Sequence, residues 1–436
     1  MHRRLPIVVA AALCALGTAA VARADAPPEW WIHAIDADTV TAPGPGVPIV
    51  IIDGAVDPTQ PAFAGRANTT FLDTPSLAGP DDDHATAVAS LAAAQANGGF
   101  AGVYPQAALE LWDAGRGDNG IDAGSAAEGI ATAAKHCPAV INLSFGGTEP
   151  NPQLQAAILR AVRAGCLIVA AAGNSGQDGD PPTYPAAYAH VLTVGATDEQ
   201  GTALPFSSSG SWVDLAAPGT DMSADVPLSH DPSGLSSGLA GTSFAAPLVS
   251  AAVAWLWTAR PTLSASQVAA ILRESARPSG PQRFDAKTGY GVLDVANALA
   301  LPTPPNDPGE PNDDIAQVKP GLFFSNGQPP LTTAAKTSTR IEGTLLQSED
   351  PRDVYRIWVP AHRTVRVSIA SQGDAAARIW GPKTVTVDEP PALRKRDLFG
   401  KSIVGGNTGL YAYAEVILTG RSPGATYVLS VKAASH

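Results

Sequence analysis

The chain has 436 residues, carries a formal charge of −12 at neutral pH, and only 16% of its residues are charged. An acidic balance argues against nucleic acid or an anionic membrane as the main partner. Few charges and many Ala and Gly residues fit a compact globular protein with a large core, in two or three domains at about 150 residues each, or one large and one small.

The N-terminus reads as a secretory signal. Arg3 and Arg4 give a positive start, an apolar run covers 5–21, and Ala22-Arg23-Ala24 is a small-x-small pattern that places cleavage after Ala24. Pro6, Gly17 and Thr18 weaken the run as a membrane span. Cys14 follows Leu13, which disfavours a lipoprotein. No later segment reads as apolar enough to span. Secretion or periplasmic export of a monomer is expected.

From about residue 48, strand-like runs alternate with helical stretches. Strands are expected at 48–53, 109–113, 139–144, 167–172, 191–196 and 212–217. Most are continuous apolar runs, as in a parallel sheet buried on both faces. Helices are expected at 84–95, 125–136, 152–164, 243–257 and 264–275. This alternation predicts an α/β doubly wound domain, whose sites gather at the C-terminal ends of the strands. Asp53, Ser144 and the Ala172-Gly173-Asn174 turn all lie at such ends.

The pattern changes after residue 300. A Pro-rich stretch at 303–309 reads as a linker. Short alternating β runs follow at 354–359, 365–369, 411–418 and 426–431, which predict a small antiparallel β-sandwich. The expected organisation is a signal peptide at 1–24, an α/β domain at 25–302, the linker, and a sandwich domain at 310–436.

Two cysteines lie beyond the signal. Cys137 and Cys166 each precede a strand-like run, and a helix at 152–164 separates the two runs. The runs read as consecutive parallel strands, so the cysteines fall at neighbouring N-terminal ends. Adjacent strands lie ~4.8 Å apart, within reach of a disulfide. Export permits that disulfide. Neither cysteine is in a CxxC pair and the His residues have no metal-ligand spacing, so no zinc site is expected.

Three segments carry the chemistry. Ile49-Val50-Ile51-Ile52-Asp53 is a buried strand ending in a carboxylate, His84 stands at a helix start, and Ser243 opens the apolar run after Gly241-Thr242. A helix N-terminus favours the negative charge that serine attack develops. The attack needs a base, and the base needs a buried acid to fix its tautomer. Alone, Ser243 reads as a helix cap, Asp53 as a strand-end cap and His84 as a surface residue. Their ordered combination points to one hydrolytic site.

These segments resemble the subtilisin-like serine proteases, the subtilase family. The resemblance covers about residues 30–300. It is carried by Val50-Ile51-Ile52-Asp53, His84-Ala85-Thr86-Ala87-Val88-Ala89, Asn142-Leu143-Ser144-Phe145-Gly146-Gly147, Ala170-Ala171-Ala172-Gly173-Asn174 and Gly241-Thr242-Ser243-Phe244-Ala245-Ala246-Pro247, with Tyr290-Gly291 at the usual domain end. It implies a secreted serine endopeptidase acting on protein or peptide substrates, with Ser243 as nucleophile, His84 as general base and Asp53 as orienting acid. It also implies Asn174 in the oxyanion hole, and Ser144, Phe145, Gly146, Gly147, Ala172 and Gly173 along the substrate. An apolar side chain is expected before the cut bond.

The departures are equally readable. The family's His-Gly-Thr-His is His84-Ala85-Thr86-Ala87 here, and Asp-Ser/Thr-Gly is Asp53-Gly54-Ala55. A methyl at Ala85 is expected to crowd the turn if the backbone there needs a glycine conformation. Residues 25–52 leave no room for a separate inhibitory propeptide. These features motivate the rival reading, a catalytically impaired protease-fold binding or scaffold protein. Family members often bind structural calcium, but Ala62 stands where an Asp ligand is common and the loop at 95–100 has no carboxylates. No cofactor and no metal site are assigned. Beyond the linker, Glu310-Pro311-Asn312-Asp313-Asp314 and Asp353-Val354-Tyr355-Arg356-Ile357 resemble the bacterial pre-peptidase C-terminal domain, which implies a β-sandwich appended to secreted proteases.

Overall fold

The computed structural model describes residues 29–74, 83–96, 101–116, 120–280, 283–347, 350–388, 398–420 and 424–434. The signal segment, its cleavage point at Ala24 and part of the 95–100 loop lie outside the described residues. The chain divides into two compact units, Met1–Pro304 and Pro305–His436.

The first unit is built on seven parallel strands in the order β2-β3-β1-β4-β5-β6-β7. In chain order these are β1 (Ile49–Asp53), β2 (Thr69–Phe71), β3 (Leu109–Asp113), β4 (Val140–Leu143), β5 (Leu167–Ala171), β6 (Val191–Thr197) and β7 (Leu215–Pro218). The helices are α1 (Trp30–Ala34), α2 (Asp83–Ala93), α3 (Ala123–Ala133), α4 (Pro152–Ala164), α5 (Thr242–Ala259), α6 (Ala265–Ser275) and α7 (Val295–Ala300). A hairpin of β8 (Met222–Asp225) and β9 (Leu235–Leu239) precedes α5.

Strand β1 shows why the strands read as unbroken apolar runs. Ile49 and Ile51 enter the core shared with α2, α5 and α6, whereas Val50 and Ile52 enter the core shared with α3 and α4. Successive side chains point to opposite faces, so a strand covered on both faces must be apolar throughout. Helix α4 is bounded by local chemistry. Asn151 accepts from the N–H groups of Gln153 and Leu154, Pro152 opens the first turn, and Gly165 closes the helix at φ +95°.

Helix α5 corrects one sequence expectation. At 18 residues with mean hydropathy 1.3, it is apolar enough by length and composition to cross a membrane. It is 83% buried inside the unit, and its all-round apolar surface serves the core.

Sheet order places β1 between β3 and β4, so the chain changes direction along the sheet at β1. In open α/β sheets the ligand crevice lies at such a switch point, outside the strand C-termini. At the opposite edge, a disulfide joins Cys137 to Cys166 just ahead of β4 and β5, with Cα atoms 5.1 Å apart.

The second unit has a short helix, α8 (Ile315–Val318), and two antiparallel sheets. One sheet is ordered β10-β16-β12-β14 and the other β11-β15-β13. The strands are β10 (Ser338–Leu346), β11 (Arg352–Val359), β12 (Thr364–Gln372), β13 (Ala375–Trp380), β14 (Ser402–Val404), β15 (Leu410–Leu418) and β16 (Gly424–Ala434). Val365, Val367, Leu429 and Val431 from one sheet share a core with Ile357, Val359, Ala412 and Ala414 from the other. This is a sandwich.

Candidate active site

Strand β1 ends on Asp53, which is 3% exposed, and α2 carries His84 in its first turn. His84 Nδ1 lies 2.9 Å from Asp53 Oδ1. The Gly54 N–H donates to the same oxygen at 2.8 Å. Asp53 Oδ2 is buried and meets no donor among the described residues. Oδ1 thus meets both the imidazole and the Gly54 N–H.

Burial acts to lower the His84 pKa. The charge and hydrogen bond of Asp53, helped by the charge of Asp83, outweigh it and leave the pKa above the ordinary histidine value. The ring also packs against Phe244 of α5, with centroids 5.7 Å apart. This contact brings His84 to the N-terminus of the helix that holds Ser243.

Ala85 and Ala87 are 1% and 2% exposed in α2. Ala85 has no positive φ, so its methyl costs no backbone strain there. The crowding expected from the sequence does not occur.

Ser243 is the second residue of α5. Pro247 lies inside that helix and has no N–H, so it offers no donor to the Ser243 carbonyl four residues earlier. Ser144, at the end of β4, fills the vacancy: its Oγ donates to Ser243 O at 2.8 Å. In return Ser243 Oγ donates to Ser144 O at 2.9 Å. Behind this pair, Ser250 Oγ donates to Asn142 Oδ1 and Asn142 Nδ2 donates to Ser144 Oγ, both at 2.9 Å. Ser144, Asn142 and Ser250 are at most 1% exposed. A buried, satisfied network of this kind fixes α5 against β4.

Asn174 follows β5, one residue past Gly173. Gly173 has φ +104°, and a Cβ there would sit 2.4 Å from Thr183 Oγ1, so only glycine fits the turn. The Thr242 N–H and Oγ1 both donate to Asn174 Oδ1, at 3.0 and 2.9 Å. Thr242 Oγ1 also accepts from the Gly173 N–H at 3.1 Å. With its oxygen occupied twice, the Asn174 amide is held in one orientation and its nitrogen is left to donate. Thr242 is thus a positioning residue that sequence reading missed. A Thr beside Ser243 reads as a turn residue until β5 and α5 are brought together.

The remaining substrate-lining expectations divide. Ser144 and Gly173 follow β4 and β5 and bond to Ser243 and its neighbour Thr242, whereas Gly146 lies against Thr183. Gly147 exchanges both backbone hydrogen bonds with Tyr184, at 2.9 and 2.7 Å, so it has none left for an added strand. Phe145 is 6% exposed and packs into the core on the α3–α4 side. Ala172 is fully buried and donates its N–H to Val194 O. Ala62, at the position where calcium ligation is common, is fully buried and brings no side-chain oxygen. That position does not fit a calcium ligand.

A model of the subtilase family matches residues 44–291. Thermitase of Thermoactinomyces vulgaris is 37% identical over 254 residues, covering 56% of this chain and 87% of that protein. Subtilisin DY of Bacillus licheniformis is 33% identical over 273 residues, 61% of this chain and 97% of that protein. Among solved structures, the protease domain of PatA aligns with a TM-score of 0.52 at 32% identity, covering 58% of this chain and 94% of that one.

Proposed function

The chain belongs to the subtilase family and is a serine-type endopeptidase, and from that premise we infer that it cuts peptide bonds through an acyl-enzyme on Ser243. The observation that carries the assignment is the 2.9 Å contact of His84 Nδ1 with Asp53 Oδ1, beside the N-terminus of α5. Asp53 holds the proton on Nδ1, which leaves Nε2 free to accept.

For attack, the Ser243 hydroxyl turns from Ser144 O to His84 Nε2. His84 takes the proton as Ser243 Oγ bonds to the scissile carbonyl carbon. The oxygen gains negative charge, and the Asn174 amide and the Ser243 N–H at the helix start stabilise it. The imidazolium, held by Asp53, returns the proton to the leaving amine. Water then repeats the sequence on the acyl-enzyme.

Residues 25–302 are read as the catalytic domain and 310–436 as a domain like the pre-peptidase C-terminal type. The division after Pro304 and the sandwich of the second unit support this. Secretion or periplasmic export, with cleavage near Ala24, is supported by the N-terminal pattern and by a disulfide that persists in an oxidising compartment.

Ser243→Ala should lower kcat on casein by ~10⁶-fold and leave the circular dichroism spectrum unchanged. Hydrolysis at the parent rate by the folded variant would remove Ser243 from the mechanism.

A further inference from the structure

Two segments of the first unit converge on one side chain that the proposed hydrolysis does not use. The first is 144–147, after β4, and the second is 172–174, after β5. A Cβ on Gly146 would lie 2.5 Å from Thr183 Cγ2, and a Cβ on Gly173 would lie 2.4 Å from Thr183 Oγ1. Thr183 therefore stands in the gap between the segments, its methyl toward Gly146 and its hydroxyl toward Gly173. Only hydrogen fits on the facing side of either glycine. Thr183 is 6% exposed, so it forms an inner wall of that gap.

This wall does not retreat. The Thr183 carbonyl accepts from the Ala187 N–H at 2.8 Å. The next residue, Tyr184, exchanges two backbone hydrogen bonds with Gly147, and its ring packs against Tyr188 with centroids 4.9 Å apart. Ser208, fully buried, holds the Gly173 turn in place. Its N–H donates to Gly173 O at 2.8 Å, and its Oγ accepts from the Ser175 N–H at 3.1 Å. A β-branched side chain on a fixed backbone has few other rotamers to take.

The same two segments fix the groups assigned to the reaction. Ser144 of the first exchanges hydrogen bonds with Ser243, and Asn174 of the second is clamped by Thr242. The argument rests on the acyl-enzyme reading, in which a scissile carbonyl is held between Ser243 and Asn174. The side chain of the residue that carries this carbonyl then enters between 144–147 and 172–174. We propose that Thr183 closes this slot at shallow depth, so that the chain cuts after small residues, Gly, Ala or Ser, and rejects Leu and Phe. A pocket of this kind sets the residue accepted before the cut bond, and it discriminates by clash as well as by fit.

The test compares the full-length parent with Thr183→Gly, Thr183→Ser and Thr183→Val. The substrates are peptide p-nitroanilides that differ only in the last residue, Ala, Leu or Phe. Fluorophosphonate titration counts the active molecules in each preparation. In the parent, kcat/KM for Ala should exceed that for Phe by ~100-fold or more, since a single methylene already discriminates by about 10–200-fold. Thr183→Gly should raise kcat/KM for Leu and Phe by at least ~10-fold, with little change for Ala. Thr183→Val keeps the shape and should keep the parent's preference, which a role carried by the hydroxyl would not allow. Thr183→Ser loses only Cγ2 and should shift the preference the same way by a smaller factor. It supplies the reading if circular dichroism shows that the glycine variant does not fold. The proposal is overturned if the parent cuts after Leu or Phe as fast as after Ala. It is also overturned if the folded glycine or serine variant keeps the parent's ratio, or if Thr183→Val shifts it as far as Thr183→Gly. A parent that neither takes the fluorophosphonate nor cuts any of the peptides overturns the acyl-enzyme reading itself, and this proposal with it.

Discussion

The two edges of one parallel sheet make opposite demands on their residues. At the C-terminal edge stand Asp53, Ser144 and the Gly173-Asn174 turn, whose polar atoms pair with His84, Ser243 and Thr242. At the N-terminal edge the Cys137–Cys166 disulfide ties β4 to β5 and offers no polar group to a ligand. Strand direction explains the division. Every strand is parallel, so one edge collects all the loops that follow strands, and the crevice at β1 opens there. Substitutions at the first edge should change rates and spare stability. Substitutions at the second should do the reverse.

Asn174→Ala is the strongest probe of that contrast after loss of the nucleophile. It should lower kcat by ~10²–10³-fold, the scale for one oxyanion donor, with little change in KM. Tm should stay near that of the parent. A raised KM alone, or a large drop in Tm, would show that the turn supports the fold instead.

Cys137→Ser probes the other edge. The bridge spans 29 residues of sequence, and losing such a loop constraint should cost about 3–4 kcal/mol of stability. Denaturant unfolding would read this as a lower midpoint, while kcat/KM measured below the transition stays unchanged. A variant of unchanged midpoint and reduced kcat/KM would invert the assignment of the two edges.

Asp83→Asn should have the smallest effect and sharpens the electrostatics of the catalytic edge. His84 must be neutral to accept a proton, so activity is lost as pH falls through its pKa. That pKa is raised, so the acid limb of kcat/KM should lie above the ordinary histidine range. Removing the Asp83 charge takes away one cause, and the limb should move to lower pH. A limb that stays in place would show that Asp83 does not reach the base.

Much of this was legible in the residues. Continuous apolar runs marked β1, β4, β5 and β6, because burial on both faces forces that composition. Asn151, Pro152 and Gly165 bounded α4 by chemistry that acts locally. The segments around Asp53, His84 and Ser243 announced themselves through residue types that one reaction needs together.

What escaped was set by distance along the chain or by weak local pattern. Helix α1 has five residues, too few to show a period, and only packing reveals that Trp30 and Trp31 enter the core. Strand β2 has three residues and is partly exposed. Strand β7 begins at Leu215, later than its apolar run, because Asp214 ahead of it turns inward to pair with Arg273 at 2.8 Å. The hairpin of β8 and β9 is irregular, with a bulge between Met222 and Ala224. The roles of Asn142, Ser250 and Thr242 depend on partners 68 or more residues away. No window along the sequence contains both ends of such a contact.

In the proposed mechanism Asp53, His84 and Ser243 act as one unit with a single nucleophile. The most direct measurement is intact-mass analysis after reaction with a fluorophosphonate, followed by peptide mapping. One adduct, on Ser243, is expected in the parent protein, none in Ser243→Ala, and a much slower one in His84→Ala. An unlabelled parent, or an adduct that forms equally fast without His84, would contradict it.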